Sequence, residues 1–221
     1  MKTSNQQSPS ATPDSKVITP SVVIFDLGKV LVDFDYSIAA RKIAARCKME
    51  AGQVKHFIAQ SPLLFKLETG LITSEEFFKG ICDATGFCGD IEEFSSFFSD
   101  VFTPIPEMIQ LQADLRQRGF PTYILSNTNE LAVSHIRRSF PFFANFDGHI
   151  LSYEQRSMKP DSKIYEAAER LSGKSRGEIL YLDDLPENVA AGAARGWQVI
   201  LQESPEKTRA AIEKLGLLNH I

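Results

Sequence analysis

Three apolar segments of the sequence end in carboxylates, a hydroxyl or an amide, which are groups that bind cations and phosphates. A fourth position supplies an ammonium group just before a predicted helix. Carboxylates placed close together repel one another and raise one another's pKa, and a hard divalent cation with oxygen ligands relieves this repulsion. Mg²⁺ suits one or two carboxylates together with a phosphate. The polar residues concerned are Asp26, then Ser126 and Asn127, then Lys159, and finally Asp183 and Asp184.

Asp26 could also act as a nucleophile. A cation and the Lys159 ammonium would together neutralise a phosphate dianion, so that an anionic carboxylate could approach phosphorus. Attack by Asp or Glu to give an acyl phosphate is an established covalent strategy. Asp26 would need no general base, because a carboxylate is ionised at neutral pH. Taken alone, an Asp after a core strand fits a surface turn about as well.

The elements that must position these groups are predicted from periodicity. The segments before Asp26, Ser126 and Asp183 are continuous apolar runs, typical of strands buried on both faces. Predicted strands alternate with predicted helices from residue 106 onwards, which indicates an α/β fold with a doubly wound parallel sheet. The carboxyl ends of such strands meet at one edge, where ligands bind, and the helix after Lys159 should begin there too.

Residues 37–104 have a different character. Apolar residues recur at helical spacing, and Thr73 to Glu76 has the form of a capping box. We find no strand pattern in this stretch, which predicts an all-helical insertion with its own core. The segment before it, Val30 to Asp35, alternates like a small hairpin or flap. The predicted organisation is a tail at 1–20, a core at 21–36 and 105–221, and a helical insertion at 37–104.

Composition excludes several classes of function. The net charge is −4, which argues against nucleic acid or an anionic membrane surface as the main partner. No apolar run approaches the length of a membrane span. The three cysteines lack metal-ligand spacing and fit free thiols in a cytoplasmic protein. Residues 1–20 are rich in Ser, Thr, Gln, Asn and Pro, which predicts a disordered tail.

Taken in order, the polar residues resemble the motifs of the haloacid dehalogenase-like hydrolase superfamily. The resemblance covers the chain from about Val22 to Leu201. The wording of the motifs is similar to that of a subgroup of small bacterial sugar-phosphate phosphatases, which includes glucose-1-phosphate phosphatase. Each motif alone is weak, whereas four in order on fitting strands are specific. The motifs are Phe25-Asp26-Leu27-Gly28-Lys29-Val30, Leu125-Ser126-Asn127-Thr128-Asn129, Met158-Lys159-Pro160 and Leu182-Asp183-Asp184.

The resemblance implies a fold, a cofactor and a reaction. The fold would be a Rossmann-like core with the insertion serving as a helical cap. The enzyme would be a monomer or homodimer that hydrolyses a small phosphorylated metabolite, such as a sugar phosphate, through an aspartyl-phosphate on Asp26. Mg²⁺ would be held by Asp26, the Gly28 carbonyl and Asp184, with Asp183 nearby or bridging through water. The phosphoryl group would be held by Ser126, Asn127 and Lys159.

One departure from the family pattern concerns the proton donor. Phosphatases of this superfamily usually carry a second Asp two residues after the nucleophile, and here that position is Gly28. General acid catalysis contributes roughly 10²–10⁴-fold. Three explanations are open: a substrate with a good leaving group such as a sugar 1-phosphate, proton donation by Asp33 or Asp35 from the flap, or loss of activity.

Other functions remain as alternatives. A 2-haloacid dehalogenase uses the same Asp nucleophile without metal, and the Asp183-Asp184 pair argues against it. A response-regulator receiver has its acidic pair on the first strand, and it has no place for a cap. A non-catalytic binding protein on a decayed hydrolase scaffold is supported by Gly28 alone. In the insertion, Lys66 and Glu68 beside Gly70 either reach over the site or form an exposed turn.

Overall fold

A computed structural model describes residues 18–218. Residues 1–17, which make up most of the predicted tail, lie outside the described residues, as do 219–221. The strands are β1 (Val22–Phe25), β2 (Val32–Phe34), β3 (Phe102–Pro104), β4 (Thr122–Ser126), β5 (Gly148–Leu151), β6 (Ile179–Asp183) and β7 (Gln198–Leu201). The helices before the fourth strand are α1 (Tyr36–Ala44), α2 (Ala51–Gln60), α3 (Pro62–Glu68), α4 (Ser74–Thr85), α5 (Ile91–Ser99) and α6 (Pro106–Gln117). The later helices are α7 (Glu130–Ser139), α8 (Ser152–Gln155), α9 (Ser162–Ser172), α10 (Pro186–Ala194) and α11 (Pro205–Lys214).

A five-stranded parallel sheet forms the centre of the molecule, in the order β5-β4-β1-β6-β7. The central strand β1 is buried along its whole length, as its continuous apolar sequence predicts. Val23 and Phe25 face one apolar cluster while Val22 and Ile24 face the other, so helices cover both sides of the sheet. The predicted doubly wound α/β fold is confirmed.

Helices α1 to α5 pack around an apolar cluster of their own, which includes Phe77, Phe94 and Phe98. The Phe77 ring is tilted against Phe94 at a centroid distance of 5.9 Å and lies edge to face with Phe98 at 5.2 Å, while Phe94 and Phe98 stack at 5.7 Å. These distances are within the range that favours aromatic pairs. The predicted capping box opens α4: Glu76 N donates to Thr73 Oγ1, and Thr73 N donates to Glu76 Oε2.

The prediction that residues 37–104 contain no strand is wrong at their end. Strand β3 pairs antiparallel with β2, and together they form a two-stranded sheet where the chain enters and leaves the helical insertion. A strand of three residues is too short to show alternation, and Phe102 continues the helical spacing of the phenylalanines before it. The predicted flap is therefore real, but its second strand comes from the far end of the insertion rather than from a local hairpin.

No helix among residues 18–218 is long and apolar enough to cross a membrane. Cys47, Cys82 and Cys88 are free thiols, in agreement with the prediction from their spacing.

Candidate active site

The carboxyl ends of β1, β4 and β6 meet at one edge of the sheet. Asp26 follows β1 directly, and its amide donates to the Leu182 carbonyl of β6 at 2.8 Å, so its backbone continues the ladder between β1 and β6. Strand β1 also pairs with β4 on its other side. The nucleophile predicted from the sequence therefore lies at the centre of the edge where parallel sheets bind ligands.

Lys159 links Asp26 to Asp183. Its ammonium lies 2.8 Å from Asp26 Oδ1 and 2.6 Å from Asp183 Oδ2, and all three side chains are nearly inaccessible to solvent. The Lys159 backbone is fixed by Asn127, whose side chain accepts from Lys159 N at 2.7 Å and donates to Lys159 O at 3.0 Å. Two residues predicted to bind phosphoryl oxygens thus also hold each other in place.

Asp183 is saturated with hydrogen bonds. Its Oδ1 accepts from the amide of Leu185 at 2.8 Å and from Asn188 Nδ2 at 3.0 Å, while Oδ2 accepts from Lys159 and from the Tyr181 hydroxyl. A carboxylate offers about four lone-pair sites. Asp183 therefore has little capacity for direct cation ligation and serves as the group that orients Lys159.

Asn188 and Tyr181 are parts of this network that sequence reasoning missed. Tyr181 lies two residues before Asp183 on β6, so both side chains project to the same face. Asn188 lies in the first turn of α10, which brings it over Asp183. The strand period and the helix start at Pro186 were both readable from the sequence, and together they could have indicated these contacts.

Asp26, Asp183 and Asp184 form a cluster in which one carboxylate oxygen from each lies within 4.8 Å of the others. Asp26 Oδ1 accepts from Leu27 N at 2.7 Å and from Lys159, whereas its Oδ2 has no hydrogen-bond partner among the described residues. With Lys159, the fully ionised set has a net charge of −2. The carboxylates of Asp26 and Asp184, with the hydrogen-bonded Asp183 beside them, fit a hard divalent cation such as Mg²⁺.

Burial and neighbouring negative charges shift the pKa values in the cluster. Burial raises the pKa of Asp26 to about 7, against the lowering effect of Lys159 and with a further raising effect from Asp183. Burial and the charge of Asp183 raise the pKa of Asp184. Burial lowers the pKa of Lys159, but the two neighbouring carboxylates outweigh it and the net shift is upward. A bound cation would lower the pKa of Asp26 and favour the ionised carboxylate that the sequence predicts.

A cavity of about 320 Å³ opens beside the cluster. Most of the predicted site residues line it, together with two apolar side chains, one of which, Leu185, is exposed. The predicted residues in its wall are Asp26, Gly28, Asn127, Lys159 and Asp184, and the additional ones are Lys29, Phe34, Leu185 and Asn188. Asp183 and Ser126 are buried and do not line it.

Ser126 ends β4 beside this cavity with its hydroxyl 3.4 Å from the Asn127 carbonyl. The loop that follows it is anchored by Ser152, which donates to the Thr128 carbonyl at 3.0 Å and accepts from the Thr128 amide at 2.8 Å. Because these contacts are buried, the loop carrying Ser126 and Asn127 is held rigidly against the start of α8.

The flap carboxylates Asp33 and Asp35 are not suited to donating a proton at neutral pH. Asp33 accepts from the Lys29 ammonium and from the Phe34 amide, which lower its pKa. Asp35 accepts from the hydroxyl and amide of Ser37 at the start of α1, which also lower its pKa. Both groups are exposed and stay ionised at neutral pH.

Comparison with known proteins agrees with this arrangement. A family model for haloacid dehalogenase-like hydrolases matches residues 20–196. The chain is 25% identical over 189 residues to a D-ribitol-5-phosphate phosphatase from Bacteroides thetaiotaomicron, covering 82% of this chain and 91% of that protein. It is also 33% identical over 97 residues to haloacetate dehalogenase H-2 from a Moraxella species, which covers 43% of each.

The fold has solved counterparts. The structure of a family enzyme from Bacteroides thetaiotaomicron in complex with magnesium and inorganic phosphate superposes with a TM-score of 0.73. The two proteins are 23% identical, and the match covers 82% of this chain and 93% of that one. At this level of identity the likeness concerns the fold.

Proposed function

The chain belongs to the haloacid dehalogenase-like hydrolases, and we propose that it is a Mg²⁺-dependent phosphatase that hydrolyses a small phosphomonoester through an aspartyl-phosphate on Asp26. The observation that carries this proposal is the buried Asp26–Lys159–Asp183 chain beside Asp184. It combines a nucleophile, a cation site and a fixed ammonium in the wall of one cavity.

In the proposed reaction, Asp26 Oδ2 attacks phosphorus, because Oδ1 is occupied by the Leu27 amide and Lys159. Lys159 neutralises charge on the phosphoryl oxygens, and Asp183 holds it there. Asn127 and Ser126, at the end of β4, would bind the remaining phosphoryl oxygens. A new P–O bond to Asp26 forms as the bond to the leaving oxygen breaks. Water then attacks phosphorus, the P–O bond to Asp26 breaks and inorganic phosphate leaves. Over the two steps one proton of the water goes to the leaving oxygen, which departs as an alcohol.

Mg²⁺ would be held by Asp26, the Gly28 carbonyl and Asp184, and when bound it would neutralise negative charge at the phosphoryl group. Helices α1 to α5, approximately residues 37–104, would form the cap that covers the substrate. A closed cap excludes water and selects the leaving group.

The chemistry of the cavity and the relatives favour a small phosphorylated metabolite as the substrate. One relative is a phosphatase of a five-carbon sugar-alcohol phosphate, and the cavity volume of about 320 Å³ suits a ligand of that size. Sugar and sugar-alcohol phosphates are therefore the proposed substrate class.

The test is a phosphatase assay across sugar phosphates and sugar-alcohol phosphates, with Mg²⁺ and with EDTA, on the wild type and Asp26→Asn. The proposal expects activity that requires Mg²⁺ and that Asp26→Asn abolishes. A metal-independent release of halide from 2-haloacids, with no phosphatase activity, would favour a dehalogenase instead. That alternative is supported by the partial match to the haloacetate dehalogenase.

A further inference from the structure

One part of the cavity wall has no role in the proposed chemistry at phosphorus. Nine residues line the cavity. Five of them are assigned above to the nucleophile, Mg²⁺ or the phosphoryl group, and Asn188 donates to both carboxylate oxygens of Asp183. No residue of helices α1 to α5 is among the nine. The leaving group of a substrate in this cavity therefore has three side chains available for contact, which are Lys29, Phe34 and Leu185.

Lys29 is the polar member of these three side chains. Its ammonium lies over the Phe34 ring, 4.6 Å from the centroid, and it donates to the Phe34 carbonyl at 3.2 Å and to the Asp33 carboxylate. A lysine ammonium has three donors, so one remains without a partner among residues 18–218. Because Phe34 itself lines the cavity and lies against Gly28, this donor is held at the flap side of the cavity.

The charge of Lys29 also acts on a residue of the proposed cation site. Burial and the charge of Asp183 raise the pKa of Asp184, and the charge of Lys29 opposes this rise. Asp184 and Lys29 line the same cavity. The Lys29 side chain is 44% exposed, so the protein does not enclose it and a ligand in the cavity has access to the ammonium.

The backbone of Lys29 favours a role in ligand binding over a role in stability. Its φ is 57°, in the left-handed region that glycine adopts freely and other residues adopt rarely. Within residues 18–218, the other non-glycine residues with a positive φ are Arg156 and Arg176, and neither lines the cavity. The exposed ion pair with Asp33 contributes little to stability. Backbone strain of this kind is typical of functional sites.

We propose, on the basis of the phosphatase function above, that Lys29 determines specificity by donating a hydrogen bond to a hydroxyl group in the leaving part of a sugar or sugar-alcohol phosphate. Phe34 and Leu185 would pack against the carbon chain that carries this hydroxyl. A hydroxyl suits the site better than a second anionic group, because Asp33 already pairs with the charge of Lys29. The inference deepens the proposed function, since it names the substrate group that the flap recognises.

The test compares two substrates with the same number of carbon atoms. Ribitol 5-phosphate and pentyl phosphate both release a primary alcohol, but only ribitol 5-phosphate carries further hydroxyl groups. We expect Lys29→Met to lower kcat/KM on ribitol 5-phosphate by about 10- to 10²-fold, as for the loss of a hydrogen bond to a charged donor. Hydrolysis of pentyl phosphate should change little, because it offers no hydroxyl to Lys29.

Lys42→Met is the matched control. Lys42 pairs with Asp100 at 2.8 Å, and the exposed fractions of these two side chains, 36% and 62%, are close to the 44% and 61% of Lys29 and Asp33. Lys42 does not line the cavity, so its variant should match the wild type on both substrates. Equal losses on both substrates in Lys29→Met, which would indicate a role at the phosphoryl group, or no loss on either, would overturn the proposal.

Lys29→Gly separates the ammonium from the backbone. It should unfold at a higher urea concentration than Lys29→Met, because glycine accepts the left-handed φ, and it should show the same loss on ribitol 5-phosphate. Recovery of the wild-type rate on this substrate in Lys29→Gly would overturn the proposal, since the ammonium would then be dispensable. Failure of the phosphatase function itself would appear differently, as an inactive wild type or as wild-type activity in Asp26→Asn.

Discussion

The ring of Phe34 lies against the backbone of Gly28, so that a Cβ built on the glycine would be 3.0 Å from Phe34 Cε1. Phe34 is itself held by Tyr36 and by Phe102, with ring centroids 5.5 and 6.1 Å away. A side chain at position 28 would therefore crowd the Phe34 ring and require it to shift. This packing gives a physical reason why glycine fits this position more easily than the usual second aspartate.

Substituting Gly28 by Ala should force the Phe34 ring to move. The backbone at Gly28 is not left-handed, so the cost comes from crowding, and we expect a loss of about 1 kcal/mol or more in the free energy of unfolding. Urea titration of Gly28→Ala, Phe34→Leu and the double variant measures the free energy of unfolding of each. The smaller leucine should relieve the crowding, so the effects should not add. Additive losses would contradict this packing argument.

Lys159→Met should destabilise the protein strongly at neutral pH without Mg²⁺. Removing the ammonium leaves Asp26 and Asp183 buried without a positive partner, which typically costs about 3–5 kcal/mol. The control is Lys207→Gln, since Lys207 pairs with Glu203 on the surface at 3.0 Å and should contribute less than about 1 kcal/mol. Similar small losses in both variants would show that the buried chain does not stabilise the fold.

The stability of the Mg²⁺-free protein should fall as pH rises from about 5 to about 8. Burial raises the pKa of Glu68 from 4.5 to about 7, so the folded state binds a proton more tightly than the unfolded state. The contribution of Glu68 is therefore complete below the unfolded pKa and is lost as pH rises towards the folded one.

Urea unfolding of the wild type and Glu68→Gln at several pH values checks this dependence. The variant has no titrating group at position 68, so its curve should be flatter through this window. Asp26, whose pKa is also raised by burial, should keep part of the slope in both proteins. Identical slopes would mean that Glu68 is well solvated in the folded state.

Mg²⁺ should raise the thermal unfolding midpoint of the wild type, because a cation that binds only the folded state stabilises it by mass action, about 2.7 kcal/mol at 100 times Kd. Asp184→Asn should lose this response. The same substitution removes the repulsion between Asp183 and Asp184, so the Mg²⁺-free variant should be at least as stable as the wild type. An unchanged Mg²⁺ response would place the cation elsewhere.

Much of the fold was predictable from the sequence because β1, β4 and β6 are short, continuous apolar runs. Such runs are typical of strands that are buried on both faces of a parallel sheet. The position of Asp26 at the sheet edge follows from the same runs. Strand β3 was not predictable, because three residues cannot show a period and its pairing with β2 spans the whole insertion. Helix α8 was not predictable either, because its four residues are too few to show a helical period.

The sequence predicted which residues form the site, but not which of them form hydrogen bonds and ion pairs with one another. The sequence indicates which residues gather at the sheet edge, whereas the orientation of Lys159 between two carboxylates depends on Asn127 and Asn188 packing from other elements. The position of Glu68 depends on how α3 is seated on α8. No local pattern carries that information, and the sequence favoured an exposed turn at this position.

The central claim is that Asp26 becomes phosphorylated during turnover. The most direct test is to quench the enzyme with acid while it hydrolyses a sugar-alcohol phosphate in the presence of Mg²⁺. The peptides of the quenched enzyme are then analysed by mass spectrometry. We expect a phosphoryl group on Asp26 in the wild type, and none in EDTA or in Asp26→Asn. Phosphate release at the wild-type rate by Asp26→Asn, or a phosphoryl group on another residue, would contradict the account.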